Sequence, residues 1–252
     1  MPRFVTLTIQ RQDRPETRRY WQTFCIPYVE QMNVISCLQA IAADPTTADG
    51  EATTPVAWDC NCLEEVCGAC SMNINGRVRQ ACTALVDALL EENPNEIRLE
   101  PMSKFPIVRD LIVDRSRMFD ALKRVRAWIP VDGYYHIGPG PRISPRQQEE
   151  AYPLTRCMTC GCCLEACPQI NNASDFIGAA AISQVILFND HPTGKLIAHE
   201  RLDAIMEPGG ITECGNAQNC VKVCPKDIPL TDSIAKAGRQ TSIHAITRWL
   251  SR

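Results

Sequence analysis

One cysteine spacing occurs twice in this chain. Cys157-x2-Cys160-x2-Cys163-x3-Cys167-Pro168 is matched downstream by Cys214-x2-Ala217-x2-Cys220-x3-Cys224-Pro225, with Ala217 standing where a second cysteine would be. A third group lies upstream: Cys62-x4-Cys67-x2-Cys70, then Cys82. The chain holds 15 cysteines in 252 residues, an odd number in a chain longer than the usual disulfide-stapled module. The opening MPRFVTLTIQRQDRPETRRYW has no apolar core of signal-peptide length, and Arg18-Arg19 reads as a solvated charge pair. The expectation is therefore a reducing compartment and cysteines used as metal ligands. The longest apolar-rich stretch, Phe176 to Phe188, is interrupted by Ser183 and Gln184 and is too short to span a bilayer. With 45% hydrophobic and 22% charged residues the composition is globular, and the net charge of −3 argues against nucleic-acid binding through bulk positive charge.

The downstream pair of runs has the spacing of bacterial two-cluster ferredoxins. In that pattern three cysteines of a run hold one cluster and the fourth serves the other. Interleaving predicts one site from Cys157, Cys160, Cys163 and Cys224, four thiolates suited to [4Fe–4S]. The other site receives only Cys167, Cys214 and Cys220, because Ala217 offers no thiolate, and [3Fe–4S] is its natural occupant. Pro168 and Pro225 fix φ and turn the chain away from the clusters. Cys162 is off-register and reads as a cage residue. Two structural zinc sites are the alternative, but zinc does not need interleaved runs.

Cys62, Cys67, Cys70 and Cys82 have the plant-type [2Fe–2S] spacing. Gly68 lets backbone approach inorganic sulfur. Cys60 competes with Cys62 as first ligand, and a four-cysteine zinc site is the alternative for this block. No histidine stands at a ligand spacing, which disfavours a Rieske-type centre. Cys25 and Cys37 read as small core residues. His136, His191, His199 and His244 are scattered, and there is no nucleophile triad or phosphate loop, so no catalytic residue is expected and the chain reads as an electron conduit.

The expected fold class is α+β: an N-terminal β-grasp domain over residues 1–105 and a mainly helical domain over 106–252. Val5, Leu7 and Ile9 alternate with polar residues as in a strand, and Tyr20, Gln22, Phe24 and Ile26 share a face of a second. Asn33 is placed to cap a helix bearing Val34, Cys37, Leu38 and Ile41. Asn75-Gly76 signals a type I′ hairpin, and Ile97 and Leu99 a last strand. Beyond Pro101 and Pro106, the spacing of Val108, Leu111, Ile112, Met118, Leu122 and Val125 predicts helix. Pro130–Pro145 reads as a long loop. Helices follow at Ala179–Phe188 and Glu200–Glu207, with Thr231 capping a last one.

The motifs CLEEVCGACSMNING with Cys82, CMTCGCCLEACP and CGNAQNCVKVCP together resemble the iron–sulfur subunit of succinate:quinone oxidoreductases, the succinate dehydrogenase/fumarate reductase family; RLEPM, VDRSRMF and NDHPTGK are similar to family segments too. The resemblance implies [2Fe–2S], [4Fe–4S] and [3Fe–4S] centres in that order from flavin to quinone. It also implies an FAD-containing flavoprotein partner, a membrane-anchor cytochrome b with haem, and a peripheral position on the cytoplasmic face of the cell membrane. Many ubiquinone-using members carry a Trp where Asn172 stands and a His where Gly215 stands. Their replacement, with the GNAQNC and CLEEVCGAC segments, resembles the menaquinone branch, and no quinone ligands are nominated. The alternatives are the same subunit in a fumarate reductase, or an iron–sulfur subunit of another membrane-linked dehydrogenase.

Overall fold

The computed structural model describes residues 4–130, 142–171 and 173–251. Asn172, His136 and most of the Pro130–Pro145 stretch lie outside the described residues. The chain divides into two compact units, Met1–Arg115 with Cys160–Glu165, and Ser116–Thr159 with Ala166–Arg252.

The first unit is built on a five-stranded mixed sheet of order β2-β1-β5-β3-β4, from β1 (Phe4–Arg11), β2 (Tyr20–Pro27), β3 (Ser71–Ile74), β4 (Arg77–Gln80) and β5 (Ile97–Glu100). β1 and β5 run parallel and the other neighbours antiparallel. Helix α1 (Val34–Ala43) buries Val34, Ile35, Cys37, Leu38 and Ile41 in the core formed with Val5, Leu7 and Ile9. Asn33 caps it as expected, its side chain accepting from the Ser36 N–H at 2.9 Å. The β3–β4 turn has Asn75 and Gly76 at φ 51° and 75°, the two positive values a type I′ turn requires. A short helix α2 (Val86–Glu92), which no motif announced, precedes β5.

Two expectations fail here for identifiable reasons. Cys25 is exposed rather than in the core. It lies between inward-facing Phe24 and Ile26 on a strand, so the pleat turns it outward. Residues 107–113 form a hairpin of β6 (Ile107–Arg109) and β7 (Ile112–Val113), not a helix. Ile107, Val108, Ile112 and Val113 are β-branched and favour strand. Between them Asp110 sits at φ 46°, held there by its carboxylate, which accepts from the backbone N–H groups of Gln12 (3.1 Å) and Ala57 (2.8 Å) and from Arg11 Nε (2.9 Å). Arg11 occupies the inward position after Val5, Leu7 and Ile9, and both charges are fully buried.

The second unit is helical: α3 (Ser116–Arg124), α4 (Pro145–Thr155), α6 (Gly178–Asp190), α7 (Ala198–Met206), α8 (Asn219–Lys222) and α9 (Leu230–Leu250); α5 (Cys162–Glu165) belongs to the first unit. Helix α4 starts at a capping box made by Ser144 and Gln147. Helix α6 is apolar almost all round and packs on α9, α7 and α4, as a core helix should. Arg201 is fully buried, its guanidinium donating to the carbonyls of Arg126, Trp128 and Gly194 and to Asn189 Oδ1. Helix α9 begins at Leu230, after Pro229, so Thr231 lies inside it rather than capping it. No helix among the described residues is long and apolar enough to cross a membrane.

Candidate iron–sulfur centres

The loop from Cys60 to Cys70 curls because Leu63 (φ 61°), Glu65 (φ 55°) and Gly68 (φ 71°) all take left-handed conformations. That winding aims backbone donors at sulfur. The N–H groups of Glu64 (3.4 Å) and Val66 (3.3 Å) donate to Cys62 Sγ, and that of Ala69 donates to Cys67 Sγ (3.4 Å). These donors bring the Cys62 thiol down to about 7. Cys70 enters β3 and Cys82 follows β4, so the hairpin brings them side by side at its base; Ala81 N–H donates to Cys70 O (3.1 Å). Burial, and then contact with Cys70, pushes the Cys82 thiol up to about 12. Asn33 Nδ2 donates to Cys82 O at 2.8 Å, so the residue that starts α1 also anchors this cysteine. The structure thus gathers Cys62, Cys67, Cys70 and Cys82. Cys60 lies beside them, its thiol raised by desolvation and then by Cys67 and Cys82.

Of the four cysteines expected at the second centre, Cys160 and Cys163 lie in the first unit and Cys157 and Cys224 in the second. Helix α5 is pinned to the first unit by Glu165. Its carboxylate accepts from Asn73 Nδ2 (3.0 Å), Ser103 N–H and Oγ (both 2.8 Å) and Lys104 N–H (2.9 Å). A hydrogen bond from Cys162 chiefly, with a smaller contribution from the Arg115 charge, brings the Cys160 thiol down to about 7. Arg115 also donates through Nη1 to Gly68 O and through Nη2 to Ala69 O (2.6 Å), inside the loop of the first group.

Cys167, Cys214 and Cys220 line one recess of the second unit with Ala217 and Pro168. Desolvation, and then the proximity of Cys167 and Cys214, raises the Cys220 thiol. The two runs are tied together beside these residues, Asn219 Nδ2 donating to Ala166 O at 3.1 Å. At Gly215 a Cβ would fall 2.3 Å from Gln169 Nε2, so a side-chain amide fills the space next to this glycine.

All these donors are cysteine sulfurs, with backbone N–H groups aimed at two of them, a set that suits soft-metal iron–sulfur chemistry.

Known proteins bear on the same segments. Residues 6–120 match the model of a 2Fe-2S iron-sulfur cluster binding domain, and residues 153–228 that of a 4Fe-4S dicluster domain. The succinate dehydrogenase iron-sulfur subunit of Bacillus subtilis (strain 168) is 58% identical over 96% of this chain and 94% of its own length. The chain belongs to the iron–sulfur subunit family of succinate dehydrogenases and fumarate reductases. The fumarate reductase iron-sulfur subunit of Wolinella succinogenes is more distant, at 30% identity over 95% of this chain and 98% of its own. A solved chain from the Mycobacterium smegmatis Sdh1 complex in the apo form has the same fold, with a TM-score of 0.76 at 21% identity, covering 96% of this chain and 97% of that one.

As a member of this family the chain is the electron-transfer subunit of a succinate dehydrogenase, one part of a larger oxidoreductase. Its N-terminal part is the [2Fe–2S] ferredoxin-type domain and its C-terminal part the helical dicluster domain. The cofactors are those of the family, [2Fe–2S], [4Fe–4S] and [3Fe–4S], each of which takes up and releases one electron at a time. Arg115 and Glu165, which hold the cysteine loops in place, stand inside VDRSRMF and CMTCGCCLEACP, but nothing in those segments showed what they touch. Each acts on residues far from it in the chain.

Proposed function

We propose that Cys62, Cys67, Cys70 and Cys82 hold the [2Fe–2S] cluster, that Cys157, Cys160, Cys163 and Cys224 hold the [4Fe–4S] cluster, and that Cys167, Cys214 and Cys220 hold the [3Fe–4S] cluster. The observation that carries this reading is the recess shared by Cys167, Cys214 and Cys220, with Ala217 on its wall. Cysteines of two separate runs line one space there, which is what interleaved ligation requires of residues so far apart in sequence. The residues around the thiolates do the protein's share of the work. They aim N–H groups at sulfur and limit water at Cys70 and Cys82, which are 3% and 4% exposed. Domains over residues 1–105 and 106–252 divide the centres between them.

In this proposal the flavoprotein partner carries FAD and the anchor is a cytochrome b with haem. Electrons from succinate reach menaquinone near that anchor, and the subunit lies peripherally on the cytoplasmic face of the cell membrane. Helix α9 supports a partner surface, since Ile243, Ile246, Trp249 and Leu250 are all more than half exposed near its end. Identity of 58% to a succinate dehydrogenase subunit, against 30% to a fumarate reductase subunit, favours succinate oxidation as the working direction. The test is iron and labile-sulfide quantitation with low-temperature EPR in both redox states. About nine irons with a reduced [2Fe–2S] signal and an oxidised [3Fe–4S] signal are expected, from the sum of the three cluster types. A colourless protein holding stoichiometric zinc overturns the reading.

A further inference from the structure

Gln80 is the last residue of β4 and is 1% exposed. A carboxamide at such a position is costly unless each polar atom finds a partner. Two of its partners are sulfurs. The Cys70 thiol donates to Gln80 Oε1 at 3.6 Å, and Gln80 Nε2 donates to Cys162 Sγ at 3.4 Å and to Ser71 Oγ at 2.9 Å. The amide therefore sits between a cysteine assigned above to the first centre and the fully buried Cys162, which is assigned to none.

A thiolate on iron has no proton and only accepts. Gln80 Oε1 facing it would set lone pairs against lone pairs. A half-turn of the carboxamide presents Nε2 to Cys70 and Oε1 to Cys162 and Ser71, since the two ends of the amide differ only in donor and acceptor role. Every partner present accommodates that turn. Cys162 keeps its S–H and turns it from Cys160 to Oε1, the Cys160 sulfur being held by iron under the assignment above. The Ser71 hydroxyl, which donates to Gly68 O at 2.9 Å, turns to Oε1 instead. Gly68 O stays satisfied because Arg115 Nη1 also donates to it.

We propose that Gln80 is a potential-setting residue for the first centre: its carboxamide donates to the sulfur of Cys70, and Cys162 holds the amide in that orientation. The proposal rests on Cys70 being a ligand of that centre. A donor at a cluster sulfur draws charge from it and favours the reduced, more negative state. Cys162 thereby has a use that its place outside both ligand sets left open, and Ser71 and Arg115 act behind it.

The experiment is an EPR-monitored redox titration of the [2Fe–2S] signal in the assembled, cluster-loaded complex, for the wild type, Gln80→Leu, Cys162→Ala and Cys162→Ser. Leucine keeps most of the volume and removes the donor. Gln80→Leu should make reduction about tenfold less favourable, a downward shift of about 59 mV for a one-electron couple. Cys162→Ser keeps a donor for Oε1 and should match the wild type, while Cys162→Ala should shift the same way as Gln80→Leu by a smaller amount. A full [2Fe–2S] signal with an unchanged midpoint in Gln80→Leu overturns the inference. Should Gln80→Leu fail to assemble, the Cys162 pair decides, and equal midpoints in Cys162→Ala and wild type overturn it. Absence of any [2Fe–2S] signal from the wild type would instead sink the ligand assignment beneath it.

Discussion

Replacing Asp110 by Asn isolates the largest buried electrostatic commitment in the first unit. The Asp110 carboxylate takes Arg11 Nε at 2.9 Å, with both side chains fully buried, and also accepts from Gln12 and Ala57 N–H groups. Arg11 spends its remaining donors on Gln22 Oε1 (2.6 Å), on the carbonyl and hydroxyl of Thr54 and on Pro55 O (each 3.2 Å). Asparagine tolerates the left-handed backbone at this turn as well as aspartate does, so strain is not introduced. What changes is charge: a guanidinium stays out of water with only neutral partners, and an amide N–H₂ is set against a backbone N–H. Breaking a buried pair from one side costs about 3–5 kcal/mol. For a chain of this size that lowers the melting temperature by about 6–20 °C. The assay is a thermal melt of the cluster-loaded protein by far-ultraviolet circular dichroism, with Arg11→Met and the double variant completing a cycle. The double variant removes the stranded charge and should be more stable than Asp110→Asn alone. A loss below about 1 kcal/mol in Asp110→Asn, or a double variant as unstable as the two single losses combined, would refute the reasoning.

Other outcomes follow from the same structure. Ala217→Cys adds a thiol to the recess of Cys167, Cys214 and Cys220 and should convert that centre towards [4Fe–4S]; an oxidised variant that keeps its full [3Fe–4S] EPR signal contradicts the assignment. Gly215→Ala meets only the flexible end of Gln169 and should cost less than about 1 kcal/mol, whereas Gly194→Ala drives a Cβ to 2.1 Å from the backbone carbonyl of Phe188 and should cost about 1–3 kcal/mol or more, as paired denaturation curves would reveal. Asp203 is held below the usual carboxylate range, first by a hydrogen bond from His244 and further by Arg248. Its contribution is therefore fully present above its unfolded pKa of about 3.9 and lost as pH falls through its lower folded value. Being 40% exposed it is worth about 0–1 kcal/mol. Hydrogen-exchange protection at the end of α9 should differ between wild type and Asp203→Asn at neutral pH and converge below about pH 4; a gap that widens in acid would exclude this account.

The order of cysteines, the gap at Ala217, the Asn33 cap, the Asn75-Gly76 turn and the first two strands were all legible from the chain alone. Each depends on residues a few positions apart, where backbone geometry and ligand spacing leave little freedom. At 107–113 the three-and-four spacing predicts helix, but the β-branched side chains of Ile107, Val108, Ile112 and Val113 favour strand. The turn there is fixed by Gln12 and Ala57, which are distant in sequence. Cys25 has apolar neighbours, but alternation with Phe24 and Ile26 along a strand points it outward.

Tertiary structure alone decided which buried polar groups meet. Arg11 and Asp110 come together from opposite ends of the first unit, Gln80 reaches Cys162, and Glu165 carries α5 to Asn73 and Ser103. A periodic pattern states only that a position faces inward. Which partner satisfies a buried charge or amide there depends on how strands and loops stack in space, because desolvation must be offset by whichever donors and acceptors the completed core brings within about 3 Å.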